Sequence, residues 1–553
     1  MVKSKSKNQI KLSPIKIKAT NNVLLKNFRT LYIALHVHRT HRDEPITFAE
    51  YPYLVDMYKD QTRKQVSKKS TQSGVSELLL IKAIARSSDG KQVFYVLPKG
   101  ELKTMFVQER FNKSIDYTKW YKVLTRQMDR RMAESTSLKH IGNGTIFFTS
   151  SKTASSFTSF SADDVLIDEW DSCDQTNIKM APERQSASKD PMTHIVGNPT
   201  IEDFGIDAHF KLSNKQKWHT YCNHCRSLNQ PNWFKHVLRQ VDDNEYIVRD
   251  PDWERFGKND IQLICEHCNK PFYRYNAGEW IAEAKANISG REINKLFSSR
   301  MRIEEMLTRF EKGLLDQEEM QRFWNGDMGI AYTASGSKIT FEMLDACLQD
   351  YFMPEMMPKG SRCVMGADIG NDINVKINQL LPDGKARSVC IMAIPLMDSA
   401  AALDHAIMII KELYKRYRCI CGVVDAGPEL RLSRALAYGI KGMFRWYHGD
   451  DKKNPVDIEA KKVHYDRNLL LDEVKANIVS EFIILPKNAR TMTPLTDKGV
   501  SQYYDQLNAP TRVVEEVGRS KQKKYVWRET RADHYAFAEG YALLAKKIIA
   551  SVG

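Results

Sequence analysis

Apolar and polar positions fall into short blocks along this chain, and the blocks form two patterned regions. In the first, Leu78, Leu79, Leu80, Ile81, Ala83, Ile84 and Ala85 make a run that suits a buried helix, behind the polar stretch Asp60 to Glu77. Val93 to Leu97 and Val165 to Ile167 are continuous apolar runs of the kind that form buried parallel strands. Ile195 and Val196 run into Gly197-Asn198-Pro199-Thr200 as another strand end. In the second region Cys363 to Ala367, Ile373 to Leu381 and Arg387 to Ile394, with a Pro382-Asp383-Gly384 turn, read as a three-stranded meander. A helix from Ser399 to Arg416, a strand from Cys419 to Val424 and a late helix within Arg531 to Lys547 follow.

The polar stretch before the first helix has the makings of a phosphate loop. Such a loop needs small residues with inward N–H groups, a helix N-terminus behind them, a lysine, and a hydroxyl for magnesium. Asp60 to Glu77 reads DQTRKQVSKKSTQSGVSE, so Gly74 is followed by Val75 where the usual GxxxxGKS pattern has lysine. Ser76 keeps the hydroxyl position. The lysine is expected at the front of the loop, at Lys69 with Lys68 as understudy, and Ser70, Gln72, Ser73 and Gly74 complete the cradle. Asp163 to Asp171 reads DDVLIDEWD, so Asp168 and Glu169 emerge together where a parallel strand ends. In a nucleoside triphosphatase the first such acid holds hydrated magnesium and the second polarises water. The plainer alternative is a polar turn before a helix and a capping acid beside a surface acid.

Cys222-Asn-His-Cys225 and Cys265-Glu-His-Cys268 are two CxxC knuckles, each able to offer two thiolates to a tetrahedral zinc. Their separation exceeds the usual zinc-ribbon spacing, so the intervening residues must fold over or loop out.

The second region carries acids of its own. Asp368 ends the first meander strand and Asp425 ends the fourth strand, the arrangement by which a ribonuclease H-like nuclease shares carboxylates between two metals. The late helix offers Asp533 near its start and Glu539 farther along, with Asp533 preferred because Glu539 would point nearly opposite on an ideal helix. His534 assists or caps. A DIG sequence before a hairpin also opens actin-like kinases, but these need a duplicated half, and no repeat follows Asp368.

Composition narrows the setting. The 553 residues hold 83 Lys and Arg against 68 Asp and Glu, a formal charge of +15, which favours a polyanionic partner such as nucleic acid. Met1 to Arg42 contains no acid but includes Lys3, Lys5, Lys7, Lys11, Lys16, Lys18, Lys26, Arg29, Arg39 and Arg42, and is expected to be a basic arm. Mean hydropathy is −0.48 and there is no apolar run of membrane-spanning length, so no membrane is expected and the cytoplasm is. In that reducing compartment the 10 cysteines read as metal ligands or buried small residues.

These residues, in this order, resemble the large subunit of a tailed-phage terminase, and the knuckle insert resembles its lambda-like branch. Lys69-Ser-Thr-Gln-Ser-Gly74-Val75-Ser76 is similar to the family's deviant loop with a displaced lysine, Gly197 to Thr200 to its coupling motif, and Phe323-Trp324-Asn325-Gly326 to Tyr332 to the segment joining motor to nuclease. The resemblance covers Tyr51 to the C-terminus. It implies an α/β P-loop ATPase domain over 47–330 with an inserted zinc ribbon at 217–273, a linker at 331–354 and a ribonuclease H-like α/β nuclease domain over 355–553, behind a basic arm at 1–46. Catalytic Glu169, Asp368, Asp425 and Asp533, coupling residues Asn198 and Thr200, and the cofactors ATP, Mg²⁺ or Mn²⁺, and Zn²⁺ go with it. So do double-stranded DNA, a small terminase subunit, a portal protein and a homo-oligomeric ring on that portal, in the cytoplasm of an infected bacterium. One departure concerns the last acid: some lambda-like members carry an aspartate where this chain has Phe537, which leaves the third ligand open between Asp533 and Glu539. The rival is a DNA-dependent helicase or remodelling ATPase whose later acids are structural.

Overall fold

In the computed structural model, which describes residues 25–552 apart from 127–134, 243–244, 300, 335, 371, 397–398, 450–454, 493–494, 497–498, 501–502 and 518–521, the apolar blocks become the inner strands of two sheets. Each sheet belongs to its own unit, Met1–Thr333 and Ala334–Gly553. No helix among the described residues is long and apolar enough to cross a membrane.

In the first unit the elements that matter are α1 (Arg29–His36), β1 (Lys64–Lys69), α2 (Val75–Ser88), β2 (Gln92–Leu97), β3 (Leu138–Ile141), β4 (Gly144–Ser150), β5 (Asp164–Ile167), β6 (Met192–Gly197), α3 (Gly205–Lys211), β7 (Gln216–Tyr221), β8 (Gly278–Ala282), β9 (Ser289–Ile293) and α4 (Ile303–Leu315). They make a 10-stranded sheet in the order β8-β7-β9-β1-β6-β5-β2-β4-β3, with Leu228–Asn229 paired onto β7. Strands β9, β1, β6, β5, β2 and β4 run parallel. Parallel strands are covered on both faces, which is why these blocks read as unbroken apolar runs. The strand ending in the acids is not beside the loop strand, because β6 lies between them.

Helix α2 is buried almost all round, Val75, Leu78, Leu79, Leu80, Ile81 and Ile84 included, because α1 covers the side that the sheet does not. For residues 25–46 the structure differs from the expectation of a basic arm. Residues 1–24 lie outside the described residues, but Leu31, Ile33 and Ala34 of α1 are buried in the first core, with Phe28, Val37, Ile46 and Phe48 against it. The apolar face of α1 outweighs its charges. The cysteine-bearing insert leaves the sheet after β7 and returns at β8. Its core residues Trp233, Val237, Leu263 and Phe272 are continuous with Met306, Phe310 and Phe323, so this insert does not stand alone.

The second unit contains β10 (Cys363–Ile369), β11 (Asp372–Leu380), β12 (Ala386–Pro395), α5 (Ala400–Arg416), β13 (Cys419–Asp425), α6 (Leu430–Gly439), β14 (Met443–His448), β15 (Lys462–Tyr465), α7 (Arg467–Val479), β16 (Ile483–Pro486) and α8 (His534–Val552). The meander β10-β11-β12 is antiparallel, while β13 joins β10 in parallel and β14 joins β13 in parallel. Helix α8 lies tightly on this sheet. A Cβ on Gly366 of β10 would strike the backbone of Ala538 and Ala542, so the close approach requires glycine there.

Leu31→Ala is expected to lower stability by about 2–5 kcal/mol, as deletion of buried leucine does. Urea unfolding of the first unit checks this; a free arm would show almost no change.

Candidate functional site

The loop after β1 ties its first two backbone donors to neighbouring carbonyls and leaves Thr71 and Gln72 exposed. Ser70 N–H donates to the Ile293 carbonyl at 2.7 Å and Thr71 N–H to the Gly326 carbonyl at 2.9 Å. Gly74 sits at φ +79, where a Cβ is strained, and N-caps α2. Gln72 is also left-handed, at φ 58, and exposed. The hydroxyls of Ser70 and Ser73 are buried with no hydrogen-bond partner among the described residues. Such orphaned groups fit an anion, since a buried unsatisfied hydroxyl otherwise loses its water for nothing.

Lys69 ends β1, and its Nζ lies 2.7 Å from Oε1 of Glu169. Lys68 does not share that position. Successive strand residues face opposite ways, and Lys68 Nζ is instead paired with Asp207 at 3.0 Å and Glu292 at 2.6 Å, against the Phe210 ring. Lys68 is therefore a structural cation on the other face of the sheet, and its reading as understudy is withdrawn. The alternation of a strand could have shown that only one of the two lysines reaches the loop, though not which.

Glu169 follows β5 in a left-handed conformation, φ 55, unusual for a side-chain-bearing residue and of the strained kind found at working sites. Burial pushes its carboxyl up, but the Lys69 ammonium, as charge and as donor, holds it below the ordinary value. Asp168 is raised, by burial and then by the Glu169 charge, despite Lys69 and a hydrogen bond from Ser76. Lys69, Ser76, Asp168 and Glu169 thus meet at one point. Arg110, not singled out in the sequence, adds its field to Lys69, Asp168 and Glu169.

Asn198 fills the gap left by β6. Its amide donates to the Lys69 carbonyl at 2.9 Å and to the Asn325 carbonyl at 2.6 Å, and the Asn325 amide donates to the Thr200 carbonyl at 2.8 Å. The Thr200 hydroxyl and N–H both donate to Asp171, at 2.8 and 3.0 Å. Loop, acid strand and the 322–327 segment are cross-linked by side chains. Asp171, the anchor of that link, was missed because the fifth acid in DDVLIDEWD carries no distinguishing pattern.

In the second unit, parallel register pairs Ala367 with Val424, which brings Asp368 and Asp425 side by side at adjoining strand ends. Asp533 immediately precedes α8 and is nearly buried, and its Oδ2 accepts no hydrogen bond among the described residues. His534 Nδ1 lies 2.8 Å from Asp368 Oδ2. Burial, then the Asp368 charge, raises Asp425 to about 7, and burial, then Glu529 and Asp368, raises Asp533 to about 7. Asp425 and Asp533 each feel the Asp368 charge, and the three offer oxygen donors of the kind a divalent cation takes.

Glu539 is not among them. It is buried with Lys376, Nζ to Oε2 at 2.9 Å, and its Oε1 accepts from Asn378 at 2.6 Å, while Lys376 donates to the Tyr503 hydroxyl at 2.6 Å. The alternative that made Glu539 a metal ligand is corrected on this geometry: its oxygens are engaged within a closed buried network. Lys376 falls on an apolar strand as a single cation, which gave no hint of its partner.

The four knuckle sulfurs of Cys222, Cys225, Cys265 and Cys268 lie within 4.8 Å of one another. Cys222 to Cys268 is 3.8 Å and Cys225 to Cys265 is 3.7 Å. Tetrahedral zinc with bonds near 2.3 Å places its sulfurs about 3.8 Å apart, so the donor set fits that ion. Cys225 is drawn down to about 6, first by hydrogen bonds from Ser227.

Fold and site geometry together are those of a P-loop-type α/β domain with four cysteines placed as a metal site would need them, followed by a ribonuclease H-like α/β domain. Residues 42–285 match the family model described as phage terminase large subunit gpA, ATPase domain. Over nearly its whole length the chain has the fold of the bacteriophage HK97 large terminase, at 10% identity, covering 93% of this chain and 98% of that chain with a TM-score of 0.51. Also similar are a large terminase from a thermophilic bacteriophage (11% identity, 92% of this chain, 100% of that chain, TM-score 0.31) and the ATPase domain of the Thermus phage P74-26 large terminase (12%, 54%, 97%, 0.31). No curated protein matches the chain in sequence.

Glu539→Gln should destabilise the second unit by about 3–5 kcal/mol, because it strands the Lys376 ammonium in a buried site. Denaturation in EDTA and in Mn²⁺ should give the same loss. A loss seen only with Mn²⁺ present would return Glu539 to the metal.

Proposed function

We propose that this chain is the large subunit of a phage DNA-packaging terminase: ATP hydrolysis in the first unit drives double-stranded DNA into a procapsid, and the second unit cuts concatemeric DNA. One observation carries the reading: the segment that matches the terminase ATPase family brings Lys69, Ser76, Asp168 and Glu169 to a single point. The HK97-like fold over both units supports the nuclease half.

In this reading Ser70, Gln72, Ser73 and Gly74 cradle the phosphates of ATP and Lys69 reaches them from the front. Ser76 and Asp168 hold the magnesium. Glu169 takes a proton from the attacking water, and must first leave Lys69, which the arriving phosphates draw away. Asn198, hydrogen-bonded to the Lys69 carbonyl, carries the loop's movement to Thr200 and the 322–327 segment. Asp368, Asp425 and Asp533 hold Mg²⁺ or Mn²⁺, which when bound activates water and stabilises the leaving oxygen of a phosphodiester. The four cysteines hold zinc, the feature that favours the lambda-like branch. Partners are a small terminase subunit and a portal, on which the chain assembles as a ring, in the host cytoplasm.

The test is phosphate release and plasmid nicking, scored separately on the purified chain with ATP and with Mn²⁺. Glu169→Gln should abolish ATP turnover with nucleotide binding nearly intact, whereas Lys69→Ala should weaken binding too. Lys68→Ala should lower stability first. ATP turnover and DNA movement with no cutting would favour a helicase-like role.

Nicking by the wild type should rise with pH through about 6 to 8, since Asp425 and Asp533 keep their protons below about 7 and metal requires the ionised form. A flat profile in saturating Mn²⁺ leaves those acids outside the metal site. Cys222→Ser should release one zinc per chain, read by metal analysis after gel filtration, and unfold the insert.

A further inference from the structure

A phosphodiester entering the second site must approach three aspartates, and the structure supplies a cation beside them that no sequence pattern marked. Arg467 opens α7, whose N-cap Asp466 accepts from Asn468 and Leu469 N–H and so fixes where the helix begins. Its guanidinium carbon stands 4.5 Å from the centroid of the Phe537 ring, one turn along α8 from Asp533. Its NH2 is 3.7 Å from Asp533 Oδ2. That is outside hydrogen-bond range, and a closed arginine–carboxylate pair sits near 2.8 Å.

Among the described residues two atoms have no hydrogen-bond partner across this gap: buried Nε of Arg467 and buried Oδ2 of Asp533. A purely structural arginine would have closed on the carboxylate. The ring face instead holds the cation without consuming any N–H, because the attraction is to the π cloud. The guanidinium thereby keeps its planar fork of donors while the side chain stays 40% exposed. Its charge acts on both Asp425 and Asp533, and its NH2 stands nearest the latter. A planar fork with free donors, partly open to solvent and beside a metal-type acid cluster, matches the oxygens of a phosphodiester.

We propose that Arg467 is a substrate-contacting residue of the nuclease centre, donating hydrogen bonds to a non-bridging oxygen of the DNA phosphate at or beside the cut, with Phe537 as the platform that aims it. This rests on the nuclease reading above. No group is transferred to the arginine; it offsets negative charge on the phosphate as the attacking and leaving oxygens exchange.

The experiment compares the full chain with Arg467→Met, Arg467→Lys and Phe537→Leu, using plasmid and short duplex DNA in Mn²⁺. Met keeps an aliphatic stem over the ring, and thermal unfolding checks that the variants fold. Arg467→Met should lower single-turnover cleavage by about 10²–10³-fold while Mn²⁺ affinity, by calorimetry, stays within a factor of about 3. Arg467→Lys should recover part of the rate, and Phe537→Leu should lower cleavage less than Arg467→Met. In Ca²⁺, the salt dependence of DNA binding should lose the slope of about one phosphate contact in Arg467→Met. Wild-type cleavage in Arg467→Met overturns the proposal with the nuclease reading intact. Mn²⁺ affinity falling in step with cleavage also overturns it and makes Arg467 a positioning residue for Asp533. No cleavage by the wild type, with metal bound, overturns the nuclease reading and this proposal together.

Discussion

Parallel pairing is the constraint from which both sites follow. Side chains that leave neighbouring parallel strands at the carboxyl end emerge on the same edge. In the first unit that edge collects Lys69 from β1, Asn198 after β6 and Asp168 and Glu169 after β5. In the second it collects Asp368 from β10 and Asp425 from β13. The two edges differ in what balances the charge. The first has a lysine built in, and Glu169 stays ionised; the second has, among the described residues, the open Arg467 and His534 beside its acids, and Asp425 and Asp533 hold their protons to about 7.

Much of this was legible in the chain, for identifiable reasons. Apolar runs without alternation announce strands covered on both faces, and the meander, α5 and β13 stand where Ile373 to Val424 indicated. Acids at strand ends were visible as abrupt changes from apolar to charged, and the knuckles as a spacing. What stayed hidden depended on pairing between distant segments. Nothing in Lys68-Lys69 says which lysine faces the loop until β1 is known to lie between β9 and β6. Lys376 and Glu539 are 163 positions apart and meet only because α8 lies on β11. The basic charges before residue 42 concealed the apolar face of α1, because charge density and helical periodicity are separate signals.

The cysteine insert is joined to the rest through its core, not only through its two chain connections. Trp233 contacts Phe323 at a ring separation of 4.8 Å, and Phe323 begins the segment whose Gly326 carbonyl receives the Thr71 N–H. Loosening the metal site would therefore slacken a chain of contacts that ends on the phosphate loop. Packed aromatic residues transmit such displacements because interiors have little free volume.

The Lys69–Glu169 ion pair has a further implication for idling. A carboxylate bonded to an ammonium is a poor proton acceptor, so while this pair persists the group proposed to act on water is muted by the group proposed to hold the phosphates. Only a ligand more negative than the carboxylate can claim the lysine. The same event that seats the fuel then arms the base, an interlock in which an empty engine cannot misfire.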